Sequence, residues 1–143
     1  MAGNISKRFS LSGIEIPRYG GACPRWNVYS AFTRPGVMQV AVSKMTNGEK
    51  YVCIARTVEK GIGRYGQAKS ILSIGLGCDA KYAKDFVYTQ NLNIQDKQNE
   101  IPIGVSCRTC DRLDCSQRAF PPLHKKFDVD INSRGVSIYV NDK

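Results

Sequence analysis

Met38-Gln-Val-Ala-Val-Ser43, followed by Asn47-Gly48 and then Tyr51-Val-Cys-Ile-Ala-Arg-Thr-Val58, is the stretch that decides the fold class. Met38, Val40 and Val42 alternate with Gln39, Ala41 and Ser43, which is the two-residue period of a strand. Asn-Gly is the preferred pair for a two-residue hairpin turn, because both central positions need positive φ. In the second arm Val52, Ile54 and Val58 share one side, and Tyr51, Cys53 and Ala55 share the other. Residues 37–59 are therefore predicted to form an antiparallel hairpin. By the same parity Arg56 falls among side chains expected to face inward, where a guanidinium needs an anionic partner.

Working outward, residues 1–22 read as irregular, broken by Gly13, Pro17, Gly20 and Gly21. Pro24 to Phe32 predicts a short helix, with Trp26, Tyr29 and Phe32 on one face and Arg34-Pro-Gly ending it. Three glycines in 60–67 predict a loop. No Gly-Lys-Ser/Thr follows them, so a phosphate-binding P-loop is rejected. Ala68 to Leu76 predicts a third strand. Asp79 is a candidate N-cap for a helix to about Tyr88. Asp114 to Ala119 suggests another short helix, and Phe127–Ile131 with Val136–Val140 a second hairpin. The fold class is α+β: an antiparallel sheet with a central hairpin and short helices. That element order is compatible with PAS or GAF sensor domains, an analogy of fold and not of function.

The 143 residues suit a single domain with its own core. The start of the chain has no apolar run of a signal peptide, and no stretch approaches membrane-spanning length. A cytoplasmic protein with reduced cysteines is expected. The net charge of +9 is uneven. Residues 1–77 carry eleven Lys and Arg against three acids, whereas 78–143 carry ten against nine. The basic half favours a polyanion, either a nucleic acid or a ligand bearing several phosphates; the plain alternative is a solvated surface.

Cys107, Cys110 and Cys115 fall within nine residues as C-x2-C-x4-C, and this is the chemically loaded part of the chain. Such a loop grips a soft metal or an iron–sulfur cluster, or it staples a small secreted fold. Zinc and a cubane cluster both take four ligands, so one more is needed. The candidates are Cys78, Cys23, Cys53 and the sole histidine, His124. Cys78 is preferred, since Gly75-Leu-Gly-Cys78-Asp reads as a strand-to-helix corner where a helix start would help hold a thiolate. Arg108, Arg112 and Arg118 surround the loop and can offset its negative charge. Spacing alone leaves zinc against iron–sulfur open.

Three blocks carry a family resemblance. They are Cys23-Pro-Arg-Trp-Asn-Val-Tyr-Ser-Ala-Phe32 with Arg34-Pro-Gly; Tyr51 to Val58 with Ile74-Gly-Leu-Gly-Cys-Asp79 and Phe86-Val-Tyr88; and Pro102-Ile-Gly-Val-Ser-Cys107 through Cys110 and Cys115 to Gln117-Arg-Ala-Phe-Pro-Pro-Leu123. In this order they resemble the C-terminal domain of bacterial short-chain fatty-acyl transcriptional regulators. From Lys125 onward the match is loose. The resemblance implies binding of coenzyme A (CoA) or a short-chain acyl-CoA, a cysteine-bound 4Fe–4S cluster, and control of genes of short-chain acyl metabolism. In that family the domain follows a helix-turn-helix and a zinc-peptidase-like region. Neither a helix-turn-helix nor His-Glu-x-x-His is found in this sequence, so any contact with DNA would run through a domain this chain lacks.

The reading that follows is a single sensor domain over 1–143, with 102–123 as its cluster loop, acting as a homo-oligomer. Cluster ligands are Cys78, Cys107, Cys110 and Cys115, with zinc as runner-up to 4Fe–4S. Arg34, Arg56, Arg64 and Lys69 are the phosphate candidates, and Trp26 and Tyr29 could stack on the adenine or line an acyl pocket. A zinc-binding, nucleic-acid-interacting domain is the competing reading, although a ribbon needs two C-x2-C pairs and only one exists. No catalytic constellation is present: His124 has no partner motif and no Gly-x-Ser-x-Gly occurs.

Overall fold

The computed structural model describes residues 5–11, 13–17, 21–61, 64–66 and 69–124. It is an α+β fold with a four-stranded sheet in the order β3-β2-β1-β4, formed by β1 Gln39–Lys44, β2 Lys50–Lys60, β3 Ser70–Asp79 and β4 Glu100–Pro102. Its contacts divide it into two compact units. One comprises Trp26–Ser43 and Lys50–Ile101 and contains most of the sheet; the other comprises Met1–Arg25, Lys44–Glu49 and Pro102–Lys143 and contains the cysteine loop.

In the sheet-bearing unit the hairpin forms as its alternation predicts. β2 pairs antiparallel with β3, setting Val52 opposite Cys78, Arg56 opposite Ile74 and Lys60 opposite Ser70. Val42, Val52, Ala55 and Tyr51 are buried, and with Ala31 and Ala83 they make the core. The short helix α1, Asn27–Ser30, and the 3-10 turn Ala31–Thr33 lie on one sheet face. Asn27 is buried and its Nδ2 donates to the Cys53 carbonyl at 3.0 Å, while the Gly36 amide donates to Thr57 Oγ1 at 2.8 Å. Gly75 lies directly under α1: a Cβ built there would overlap Val28 Cγ1. The covered face is therefore the one that carries Tyr51, Cys53, Ala55 and Thr57.

That geometry reverses one expectation. Arg56 does share a side with Val52, Ile54 and Val58, but this side is buried only at Val52 and opens toward Val58, and Arg56 is exposed. Two further elements differ from the sequence reading. The Met45–Glu49 connection is longer than a two-residue turn: Met45 N donates to Glu49 O and Gly48 N to Met45 O, and only Gly48 takes positive φ, at 90°. The helix expected from Asp79 is two 3-10 helices, Ala80–Asp85 and Val87–Thr89. Asp79 does cap the first, accepting from Lys81 N at 3.0 Å. Phe86 is extended, at φ −101° and ψ 122°, and Thr89 Oγ1 donates to the carbonyls of Phe86 and Ala83, which diverts acceptors an α-helix would use. The hairpin expected over 127–140 lies outside the described residues.

Candidate metal centre

The second unit is organised around cysteine. Cys23 N donates to Val105 O at 3.1 Å and Ile103 N to Lys44 O at 2.9 Å, so three chain segments meet beside the loop. One hollow in this unit is lined by Cys23, Cys107, Cys110 and Cys115 together with Arg25, Arg112 and Arg118. Cys23, Cys107 and Cys115 are buried and Cys110 is half-buried; all six cysteines of the chain are free thiols. Gly104 gives the room for this approach, because a Cβ there would stand 3.1 Å from Cys110 Sγ.

The loop carries almost no regular structure, and its shape is fixed instead by Arg118. This residue is buried, with 7% of its surface exposed. Its guanidinium donates from Nη1 to the Cys107 carbonyl at 2.9 Å and from Nη2 to the Cys110 carbonyl at 3.2 Å, with a further bond from Nη2 to the Arg112 carbonyl. A planar fork with five N–H groups can hold three diverging carbonyls, which a lysine cannot. Around it, Ala119 N–H donates to Cys107 Sγ at 3.4 Å and Arg112 Nη2 to the Ile103 carbonyl at 3.4 Å. The Arg108 guanidinium stands over the Phe120 ring at 4.8 Å. The helix expected over 114–119 does not form. His124 Nε2 is 2.9 Å from Asp111 Oδ1 and is not among the residues lining the hollow.

The fourth cysteine lining the hollow is Cys23. Cys78 lies on β3 in the sheet-bearing unit and is not among the lining residues. Burial, and then the carboxylates of Asp79 and Asp85, push its thiol up, so that corner disfavours the thiolate a helix start was expected to favour. Cys23 is also pushed up, by burial first, against backbone hydrogen bonds from Gly104 and Arg25 that pull it down; charge on Cys107 and Cys115 raises it further.

The donor set fits a soft metal group: four thiols, one backbone N–H on sulfur, and three guanidinium groups to balance negative charge. Among the described residues, no three His, Cys, Asp or Glu side chains are drawn together as for one shared metal ion. A single zinc would need its sulfurs each about 2.3 Å from the ion. A cubane spreads its four thiolates over separate irons and tolerates a wider ring.

The other residues singled out from sequence lie in the sheet-bearing unit and are spread along it. Trp26 precedes α1 and Tyr29 lies within it, both half-buried. Arg34 follows the 3-10 turn and is exposed, as are Arg56 on β2 and Arg64 in the loop after it. Lys69 Nζ is 3.1 Å from Glu59 Oε2. No helix among the described residues is long and apolar enough to cross a membrane.

Comparison with known proteins agrees with the motif resemblance. Residues 1–139 match the family described as short-chain fatty acyl coenzyme A regulator, C-terminal. The chain is 43% identical over 141 residues to the HTH-type transcriptional regulator RamB of Mycobacterium tuberculosis, covering 97% of this chain and 30% of that protein. It is 41% identical over 138 residues to a propionyl-CoA carboxylase regulator of Cereibacter sphaeroides, covering 96% and 30%. A solved structure of a Mycobacterium tuberculosis transcriptional regulator superposes with a TM-score of 0.84 at 38% identity, covering 94% of this chain and 41% of that one. These relatives are named as regulators and not as enzymes, and the chain spans about 30% of the length of the curated ones. The chain thus belongs to the short-chain fatty acyl coenzyme A regulator family, matching its C-terminal domain.

Proposed function

We propose that this chain is the effector-sensing domain of a cytoplasmic transcriptional regulator of short-chain acyl-CoA metabolism, and that it holds a 4Fe–4S cluster on Cys23, Cys107, Cys110 and Cys115. The observation that carries the reading is the convergence of these four thiols, from two distant segments, on one arginine-lined hollow. The cluster would supply a redox-active, negatively charged group. The residues around it would fix the loop: Arg118 by its carbonyl clamp, and Ala119 by its N–H on sulfur.

The effector in this reading is CoA or a short-chain acyl-CoA, supported by the basic surplus in residues 1–77 and by family membership. Arg34, Arg56, Arg64 and Lys69 are the cations offered to its phosphates, and Trp26 and Tyr29 the rings offered to its adenine or acyl chain. The ligand would bind one conformation of a homo-oligomer better than another and shift the population, with DNA contacted by another domain of the longer regulators.

The test is anaerobic purification with iron, sulfide and zinc analysis and a visible spectrum. Iron and sulfide in equal amounts, lost in Cys23→Ser and kept in Cys78→Ser, would support the assignment. The reverse pattern, or stoichiometric zinc without sulfide, would overturn it. Calorimetric titration with CoA and propionyl-CoA tests the effector separately.

A further inference from the structure

β3 is an edge strand with unusual chemistry. Among the described residues no strand pairs with its outer side, and β2 occupies the inner one over ten residues. An open edge is a template for another chain, and proteins usually blunt it with charge or proline. Here Ser70 to Cys78 contains neither. Leu72, Ile74 and Leu76 all project on the open sheet face and are 40%, 53% and 65% exposed.

We propose that β3 is a homodimer interface, in which two copies pair their β3 strands antiparallel about a two-fold axis centred on Ile74. This deepens the homo-oligomer reading above and rests on it. A two-fold normal to the sheet keeps like faces together, so it must run through a residue and its own symmetry mate. With Ile74 at the centre, Leu72 meets the partner's Leu76 and Ile74 meets the partner's Ile74, which gives three apolar cross-strand pairs in a row. At both ends Lys69 meets the partner's Asp79. Neighbouring registers lose this match: centring on Ser73 sets Lys69 against the partner's Gly77, and centring on Gly75 sets it against the partner's Lys81. Lys69 already pairs with Glu59 and Asp79 with Lys81, each at 3.1 Å. The two ends of the dimer would thus each carry an alternating row of four charges. The interface is small, so the dimer is concentration-dependent.

Sedimentation velocity on the full chain across a concentration series, up to about 1 mM, tests this. The expected result is a reversible dimer. Ile74→Lys, which sets two ammonium groups at the axis, weakens it at least about tenfold. Lys69→Asp alone opposes two carboxylates at each end and weakens it; adding Asp79→Lys restores the opposite-charge pair and the dimer. Circular dichroism checks that each variant is folded, and Lys69→Asp with Ile74→Lys carries the test if Asp79→Lys, which removes a helix cap, does not fold. A dimer insensitive to both Ile74→Lys and Lys69→Asp overturns the β3 interface while leaving the homo-oligomer reading standing. A monomer at every concentration overturns both.

Discussion

Replacing Arg118 by Leu removes the guanidinium that clamps the Cys107, Cys110 and Arg112 carbonyls, while keeping much of the buried volume. Hydrogen bonds from a charged donor contribute roughly 1.5–3 kcal/mol each, and the two at 2.9 and 3.2 Å alone would sum to about 3–6 kcal/mol. Against this stands the cost of holding a guanidinium at 7% exposure, which is relieved in the variant. A net loss of about 3 kcal/mol follows for the cysteine-bearing unit. For a chain of this size each kcal/mol moves Tm by roughly 3–4 °C, so Tm should fall by about 10 °C. The assay is thermal unfolding of metal-free protein, together with amide exchange over residues 103–118, where protection should collapse locally. Arg118→Lys keeps the charge and loses the fork, and should recover less than half of the loss. If Arg118→Leu lies within about 0.5 kcal/mol of the wild type with unchanged exchange, the clamp is not what orders the loop.

Gly75→Ala should destabilise by about 1–3 kcal/mol in urea unfolding because its Cβ would overlap Val28, whereas Gly48→Ala, at φ 90° with open space around it, should cost only about 1 kcal/mol. Gly104→Ala should displace Cys110 by a few tenths of an ångström and lower iron retention while leaving the sheet-bearing unit's exchange unchanged, a selectivity that a general folding defect would not show. Burial raises the thiols of Cys23 and Cys53 in the folded chain. Their contribution is full below the ordinary thiol value of 9.0 and is lost as pH rises through the higher folded values. Urea midpoints of metal-free protein at rising alkaline pH should therefore fall more steeply for the wild type than for Cys53→Ala, and parallel curves would count against the burial account.

Much of the sheet was legible because alternation is a local signal. Met38 to Val58 shows it plainly, and β1 and β2 follow. β3 runs on to Asp79, beyond the expected end at Leu76, because Gly75 is tolerated in the strand where α1 comes close. Parity also grouped Arg56 correctly with Ile54 and Val58. What parity cannot supply is which group is covered: that depends on α1 docking through Val28 and Asn27 on the opposite face. The same limit applies to the place of Cys23 in the hollow. The C-x2-C-x4-C spacing is local and was read directly, whereas the nearness of Cys23 arises from its amide bonding to Val105, a tertiary pairing with no signature near either residue. Arg118 was read as a charge beside the loop; its role as a three-carbonyl clamp depends on a backbone path that the residues alone do not spell out.

The hydrogen bond from Cys23 N to Val105 O has a consequence for how the chain is made. The cysteine-bearing unit is discontinuous, built from the two flanks and one short middle piece, while most of 26–101 forms the other unit between them. At a synthesis rate of about 5–20 residues per second, Cys23 is incorporated roughly 4–16 seconds before Val105. Throughout that interval Cys23 has no pairing partner, while all of 26–101 is made. The order of translation therefore makes the cysteine-bearing unit the last part of the fold to close, since its final segment, from Pro102 onward, is made after all of 26–101.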